Sequence, residues 1–256
     1  ELLAQYQFLP STSISGSLRQ PIAGTLDDIK RGPKGGLPNV RSDFMYYHRD
    51  ISNSLFINNL TLDQYFKPSP NFYALVNIGF LELMYAGVRT EIIWKKNKKP
   101  YGFGLDIAQV QKRDTDGGFK LKNEHFNTYL ASIYYDLHND WIIKVDGGKY
   151  LAGDFGSTIS IKRTFNNGWE FGAYATLTDV PFNIWGEGSF DKGLTIKAPI
   201  NWYTGKKSRS YAIATIKPIT GDGGAKLHLS EEKYLYDNVS EYSKKNILDN
   251  WGRVFR

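Results

Sequence analysis

Apolar and polar residues alternate with a period of two through much of this chain. The clearest case runs from Ser157 to Leu177. Ile159, Ile161 and Phe165 take odd positions, and Thr158, Ser160, Lys162 and Thr164 take even ones. Asn166-Asn167-Gly168 follows, a tripeptide that tolerates positive φ and suits a tight turn. Trp169, Phe171, Ala173, Ala175 and Leu177 then alternate with Glu170, Gly172, Tyr174 and Thr176. The pattern predicts a β-hairpin with one apolar and one polar face.

The same rhythm recurs on both sides of this hairpin. Phe44 to Ile51 and Ser54 to Phe66 are candidate strands, and Lys67 to Asn71, with its two prolines, is a turn. Phe72, Ala74, Val76, Ile78 and Phe80 share one face of the next strand, opposite Leu75, Asn77 and Gly79. Gly87 reads as a turn or bulge before Val88 to Lys95. Tyr101, Phe103, Leu105 and Ile107 alternate with Gly102, Gly104, Asp106 and Ala108. A charged loop is expected over Gln111 to Glu124. Further strands follow at Thr128 to Leu137, Trp141 to Tyr150, Gly193 to Trp202 and Tyr211 to Lys217. Residues 1–40 hold four prolines and a basic run at Lys30 to Gly36, and are expected to be an irregular or tucked plug-like segment. Residues 41–238 form the β region, and 239–256 a tail that is a short helix or closing strand.

Long alternating strands joined by turns fit an all-β fold, an antiparallel transmembrane β-barrel of outer-membrane type with about 10–14 strands. Tyr73, Tyr85, Trp94, Tyr101, Tyr150, Trp169, Trp202 and Tyr211 fall near strand ends, where girdle aromatics meet lipid headgroups. A soluble sandwich or barrel shows the same period, so this pattern alone leaves both open. Two features favour the membrane. The polar face mixes Gly, Thr, Ser, Tyr and isolated charges, as a wet lumen would, and the strands are longer than the usual five or six residues. No run of about 18 apolar residues occurs, so a membrane helix is not expected. ELLAQYQFLP at the start does not read as a signal peptide.

Composition narrows the chemistry. The chain has 256 residues, 15% of them aromatic, and no cysteine, which excludes disulfides, thiolate metal sites and thiol nucleophiles. Its net charge of +6 is mild and fits a solvated surface as well as an anionic partner. The four histidines are scattered without ligand spacing, so no metal and no cofactor are expected.

Several segments together carry a family resemblance. LPNVRSDF (37–44), GFLELMYAGVRTEIIW (79–94), QKRD (111–114), the run from Gly147 to Val180, GEGSFDKG (186–193), DGGAKL (222–227) and LYDN (235–238) resemble, in order, the YjbH/GfcD family. These are Gram-negative outer-membrane proteins tied to exopolysaccharide and group 4 capsule production. The resemblance covers roughly Leu37 to Asn238 and is to the C-terminal of two barrel-like regions. It implies a barrel in the cell outer membrane that assists polymer export or assembly without catalysis. The partners implied are membrane lipid, polysaccharide, periplasmic proteins or lipoproteins of the same system, and a second barrel region of a longer chain. Nucleic acid is not expected.

Candidate functional residues are charges and tyrosines on the polar faces and in the Gly-rich loops. Arg89 and Glu91 sit two apart on one strand face, and Lys162 and Glu170 fall in the alternating stretches on either side of the turn. They either pair structurally or line a sugar path, on which Tyr174 could stack. Arg163 falls on an otherwise apolar face, which places it at a rim or next to a bulge. Glu187 and Asp191 lie four apart in GEGSFDKG. The alternative reading is a soluble or periplasmic β-barrel that binds or cleaves polysaccharide with these two carboxylates as acid and base. GDGG (221–224) lacks the Lys and the strand–helix context of a phosphate loop, so Asp222 is expected to make an Asx-type turn.

Overall fold

The computed structural model describes residues 1–22, 37–96, 99–137, 140–165, 167–181, 190–200, 211–217, 221–229 and 233–241. Twelve strands and two short helices occur among them. The strands are β1 (Leu2–Leu9), β2 (Thr12–Arg19), β3 (Phe56–Ser69), β4 (Phe72–Phe80), β5 (Tyr85–Lys95) and β6 (Tyr101–Arg113). They continue with β7 (Leu121–Asp136), β8 (Trp141–Lys149), β9 (Phe155–Thr164), β10 (Glu170–Thr178), β11 (Asp191–Pro199) and β12 (Tyr211–Ile216). The helices are α1 (Phe44–Ile51) and α2 (Leu235–Glu241). The strands form one antiparallel ladder in chain order from β1 to β12. The expected all-β class and strand number hold. Closure into a barrel is not among the pairings of the described residues, whose order begins at β1 and ends at β12. No helix among the described residues is long and apolar enough to cross a membrane.

The hairpin read from Ser157 to Leu177 is β9–β10, paired in continuous register from Thr164↔Glu170 to Gly156↔Thr178. Three expectations need correction. Phe44–Ile51 is a helix, because Phe44, Tyr47 and Ile51 recur at helical spacing and bury Tyr47 and Ile51. Segment spacing there outweighs the β preference of its aromatics. Residues 2–9 and 12–19, expected as irregular, form a hairpin whose polar face is built from Ser13, Ser15 and Ser17. Gly87 does not end a strand. It lies inside β5 at φ 153°, where any side chain would run into the Gln109 carbonyl.

The chain divides into two compact units. The first comprises Glu1–Lys30, Phe44–Phe126 and Leu227–Arg256, and the second Arg31–Asp43 and Asn127–Lys226. Within each, burial runs opposite to that of a soluble sheet. In the first unit Ile78, Val88, Phe103 and Leu105 are exposed, while Asn77, Arg89 and Glu91 on the opposite face are buried. In the second, Tyr129, Ile133, Ile159 and Leu177 are exposed, while Ser132, Asp146, Thr158 and Thr176 are buried.

Candidate functional site

The polar face of the first unit carries one connected ion and hydrogen-bond network. Cross-strand register places Asp63 opposite Asn77, Asn77 opposite Arg89, and Glu91 opposite Asp106. The side chains then meet in sequence. Ser15 Oγ donates to Asp63 Oδ2 (2.6 Å) and Asn77 Nδ2 to Asp63 Oδ1 (2.7 Å). Arg89 Nη1 donates to Asn77 Oδ1 (3.1 Å) and Arg89 Nε to Asp106 Oδ2 (2.8 Å). Arg89 Nη2 reaches Glu91 Oε2 at 2.9 Å. A buried guanidinium is stable only when such partners replace its hydration.

The segment around α2 completes this network from above. Arg89 Nη1 donates to the Lys233 carbonyl (2.9 Å), and the Leu235 N–H donates to Glu91 Oε2 (2.9 Å). Lys233 Nζ lies 3.6 Å from Asp63 Oδ1 and also donates to Thr61. Tyr234 covers the Arg89 guanidinium, its ring centroid 5.4 Å away, and Lys95 Nζ donates to the Tyr236 hydroxyl (2.9 Å). Residues 233–236 thus seat on the polar face as a plug. The tail expected over 239–256 lies outside the described residues beyond Glu241.

A second buried cation, Arg113 at the end of β6, has carbonyls for partners. It donates to Glu82 (2.7 Å), Ile57 (2.9 Å), Gly117 (3.1 Å) and Gly118 (3.0 Å), and lies against the Phe80 ring. It ties together three chain crossings at the strand ends.

In the second unit, Asp146 is the centre. It accepts from Ser132 Oγ (2.6 Å), Lys144 Nζ (3.0 Å) and Lys226 Nζ (2.5 Å). Tyr150 OH, Thr158 Oγ1 and Thr176 Oγ1 continue the polar row at 2.7 and 2.8 Å. Burial pushes the Tyr150 phenol up to about 12.

Asp222 is nearby in the same unit and acts as a cap. Its Oδ1 accepts from the N–H groups of Val40 (2.9 Å), Arg41 (2.6 Å) and Ser42 (2.8 Å), and its Oδ2 from Ser42 Oγ (2.7 Å). The backbone it pins is about 180 residues away in sequence, so these bonds are a long-range cap rather than the local Asx-type turn expected. Arg41 Nη2 donates in return to the Lys226 carbonyl (2.6 Å). Gly224 N–H donates to Asp154 Oδ2 (2.8 Å), and Leu151 N–H to the Ala225 carbonyl (2.9 Å). Burial raises the Asp154 carboxyl above its ordinary range, and the Gly224 bond offsets part of that rise.

The other sequence-chosen residues are placed as follows. Arg89 and Glu91 come together. Lys162 Nζ lies 3.8 Å from Glu170 Oε2, and Tyr174 OH donates to Asp191 Oδ1 (3.3 Å). The Tyr174 ring occupies the space where a side chain at Gly193 would sit. Glu187, and with it the Glu187–Asp191 pair, lies outside the described residues. Arg163 is at the rim rather than a bulge, because β9 pairs without a register shift through Trp141↔Arg163 and Phe171↔Arg163. Two expected girdle aromatics, Tyr85 and Tyr150, are fully buried. Trp94, Tyr101 and Phe103 cluster at one strand end of the first unit, and Phe165, Trp169 and Phe171 at one strand end of the second. Asp63, Asn77, Asp106 and Lys233 were not singled out from sequence. For the first three, the available signal was a polar residue at an inward position of an alternating strand.

Residues 1–241 match the YjbH family, described as exopolysaccharide biosynthesis protein YbjH. The chain belongs to this family. "Uncharacterized lipoprotein YjbH" of Escherichia coli (strain K12) is 32% identical to it over 217 residues, which is 81% of this chain and 30% of that protein. The chain therefore spans less than a third of that relative's length. No solved structure matches it. The YjbH-like motifs named from the sequence meet in pairs. Arg113 of QKRD holds the Glu82 carbonyl of GFLELM, and Leu235 of LYDN holds Glu91. In the second unit Asp222 of DGGAKL holds Val40 to Ser42 of LPNVRSDF.

Proposed function

We propose that this chain is a non-catalytic outer-membrane β-barrel region that assists the export or assembly of an exopolysaccharide or capsule. One observation carries the reading: each unit turns its aliphatic and aromatic face outward and its ion network inward. Ile159 is 56% exposed and Ile133 54%, whereas Arg89 and Asp146 are 1% exposed. In water such a continuous apolar face is a liability. In a bilayer it is the lipid-facing surface, and the buried polar face is the lumen.

Family membership supplies the polymer class, and the lipoprotein in the name of the Escherichia coli relative favours the cell envelope. The short share of that relative fits one barrel region within a longer chain. In the first unit Asp63, Asn77, Arg89 and Glu91 are paired with one another and with residues 233–236, so their role is to hold the wall and the plug. Contact with polymer and with periplasmic or lipoprotein partners falls to the loops.

Membrane fractionation of the expressed chain, followed by gels of boiled and unboiled samples in detergent, tests this. Partition to the outer membrane with a mobility shift on boiling is the expected result. A chain that stays soluble and folded without detergent overturns it.

A further inference from the structure

We infer that Arg163, with Trp141, Phe165 and Phe171, forms a binding site for the phosphate of an anionic phospholipid headgroup. The inference rests on the membrane reading above. Arg163 is the next-to-last residue of β9 and faces the same side as Ile159 and Ile161, both exposed. It is therefore a cation on the lipid-facing surface, at the level where strands end.

Its surroundings are aromatic on each side. Trp141 opens β8 directly across the ladder, and Phe171 lies across the other ladder. The guanidinium carbon lies 5.5 Å from the Trp141 ring centroid and 4.5 Å from that of Phe165. Trp169 stacks on Phe171 at 6.1 Å, extending the aromatic row. The Trp141 and Phe165 rings flank the guanidinium by cation–π contact.

Among the described residues Arg163 has no carboxylate partner. Arg89 and Arg113, buried on the polar side, instead donate to carboxylates or carbonyls. The neighbouring Lys162, on the lumen side, already has Glu170. A planar, always-charged fork with free donors, ringed by interfacial aromatics, matches a phosphodiester bidentately. A headgroup is the source that reaches it there, because the adjoining Ile161 and Ile159 run into the acyl region.

The test is native mass spectrometry of the detergent-folded chain mixed with phosphatidylglycerol or phosphatidylcholine. Phosphatidylglycerol retention should fall about fivefold in Arg163→Gln, the effect of one interfacial cation on an anionic lipid. Arg163→Lys should keep part of it, since charge remains while the planar stack is lost. Trp141→Leu, which leaves the cation in place, serves should Arg163→Gln fail to fold, and should also weaken retention. Equal retention of the two lipids, or retention unchanged in these variants, overturns the site. Displacement of the lipid by excess inorganic phosphate shows a general anion site and overturns the headgroup assignment. A chain that shifts on boiling yet shows no Arg163-dependent preference overturns this site alone. A chain that needs no detergent overturns the membrane reading as well.

Discussion

Arg89 on β5 meets Asp106 on β6 with Nη2 2.5 Å from Oδ2, and Arg89 is 1% exposed. The same nitrogen reaches Glu91, and Nη1 reaches Asn77 and the Lys233 carbonyl. One guanidinium therefore joins three strands to the segment that covers them. Arg89→Met leaves Glu91 and Asp106 facing each other without a cation. The expected loss is about 3–5 kcal/mol, as for one partner removed from a buried ion pair. Replacing Arg89, Glu91 and Asp106 together with apolar residues of similar size should recover most of it. Denaturant midpoints of the detergent-folded chain measure both. A neutral single variant would mean the network does not hold the wall.

Asp222 joins two distant motifs in the second unit. Asp222→Ala removes the acceptor for three backbone N–H groups, and Asp222→Asn keeps Oδ1 but loses the charge. Hydrogen bonds to a charged group contribute roughly 1.5–3 kcal/mol, so both changes should loosen Val40 to Ser42, the alanine more. Trypsin cleavage after Arg41 reads this directly. The rate should rise in the order wild type, Asn, Ala, and equal rates would show that Asp222 does not fasten this segment.

How these sites could be read from the sequence differs from one to the next. The β9–β10 hairpin, and the face of every residue in it, follow from a period-two pattern broken at Asn167-Gly168. The inward position of Arg89 follows in the same way. Which residues meet there does not, because alternation gives a face and not a register, and Asp106 and Asn77 reach Arg89 from two different strands. The Asp222 cap was invisible for a different reason. Its partners are backbone N–H groups, which any sequence has. α1 was misread because an eight-residue aromatic segment satisfies strand preference while its spacing satisfies a helix. The plug is not legible because residues 233–236 contribute a carbonyl, an N–H and two rings beside the single Lys233 ammonium, and no charge pattern marks them.

Asp154 gives a pH signature. It lies in the turn between β8 and β9 and is 5% exposed, and burial raises its carboxyl above the ordinary range. The folded state therefore binds this proton more tightly than the unfolded one. The resulting stabilisation is full below the unfolded value and is lost as pH rises through the folded value. Asp154→Asn stays neutral at all pH and can still accept from Gly224. Wild type should thus lose stability relative to Asp154→Asn as pH climbs from about 4, the ordinary aspartate range. Denaturant midpoints of the two proteins across pH 3 to 8 show it, both limits being roughly those that bracket carboxylate titration. A gap that moves the other way would mean that hydrogen bonding to the carboxylate outweighs its burial.

Ile159 separates the membrane from the aqueous reading without any functional assay. It lies midway along β9, is 56% exposed, and shares its face with Ile161 and Phe155. On a water-facing surface Ile159→Arg would be worth within about 0.5 kcal/mol of nothing, as most exposed substitutions are. On a lipid-facing surface near the midplane it should cost about 2–4 kcal/mol, and near the interface about 0–1 kcal/mol. Phe155→Arg, at the first residue of β9 and 57% exposed, is the interface control. Folding in lipid vesicles should be strongly impaired for Ile159→Arg and nearly normal for Phe155→Arg. The depth dependence is what matters, because a general intolerance of arginine on this face would affect both positions alike. Equal, small effects at both positions would place the apolar face in water and leave the exposed isoleucines of β9 without a solvent to explain them.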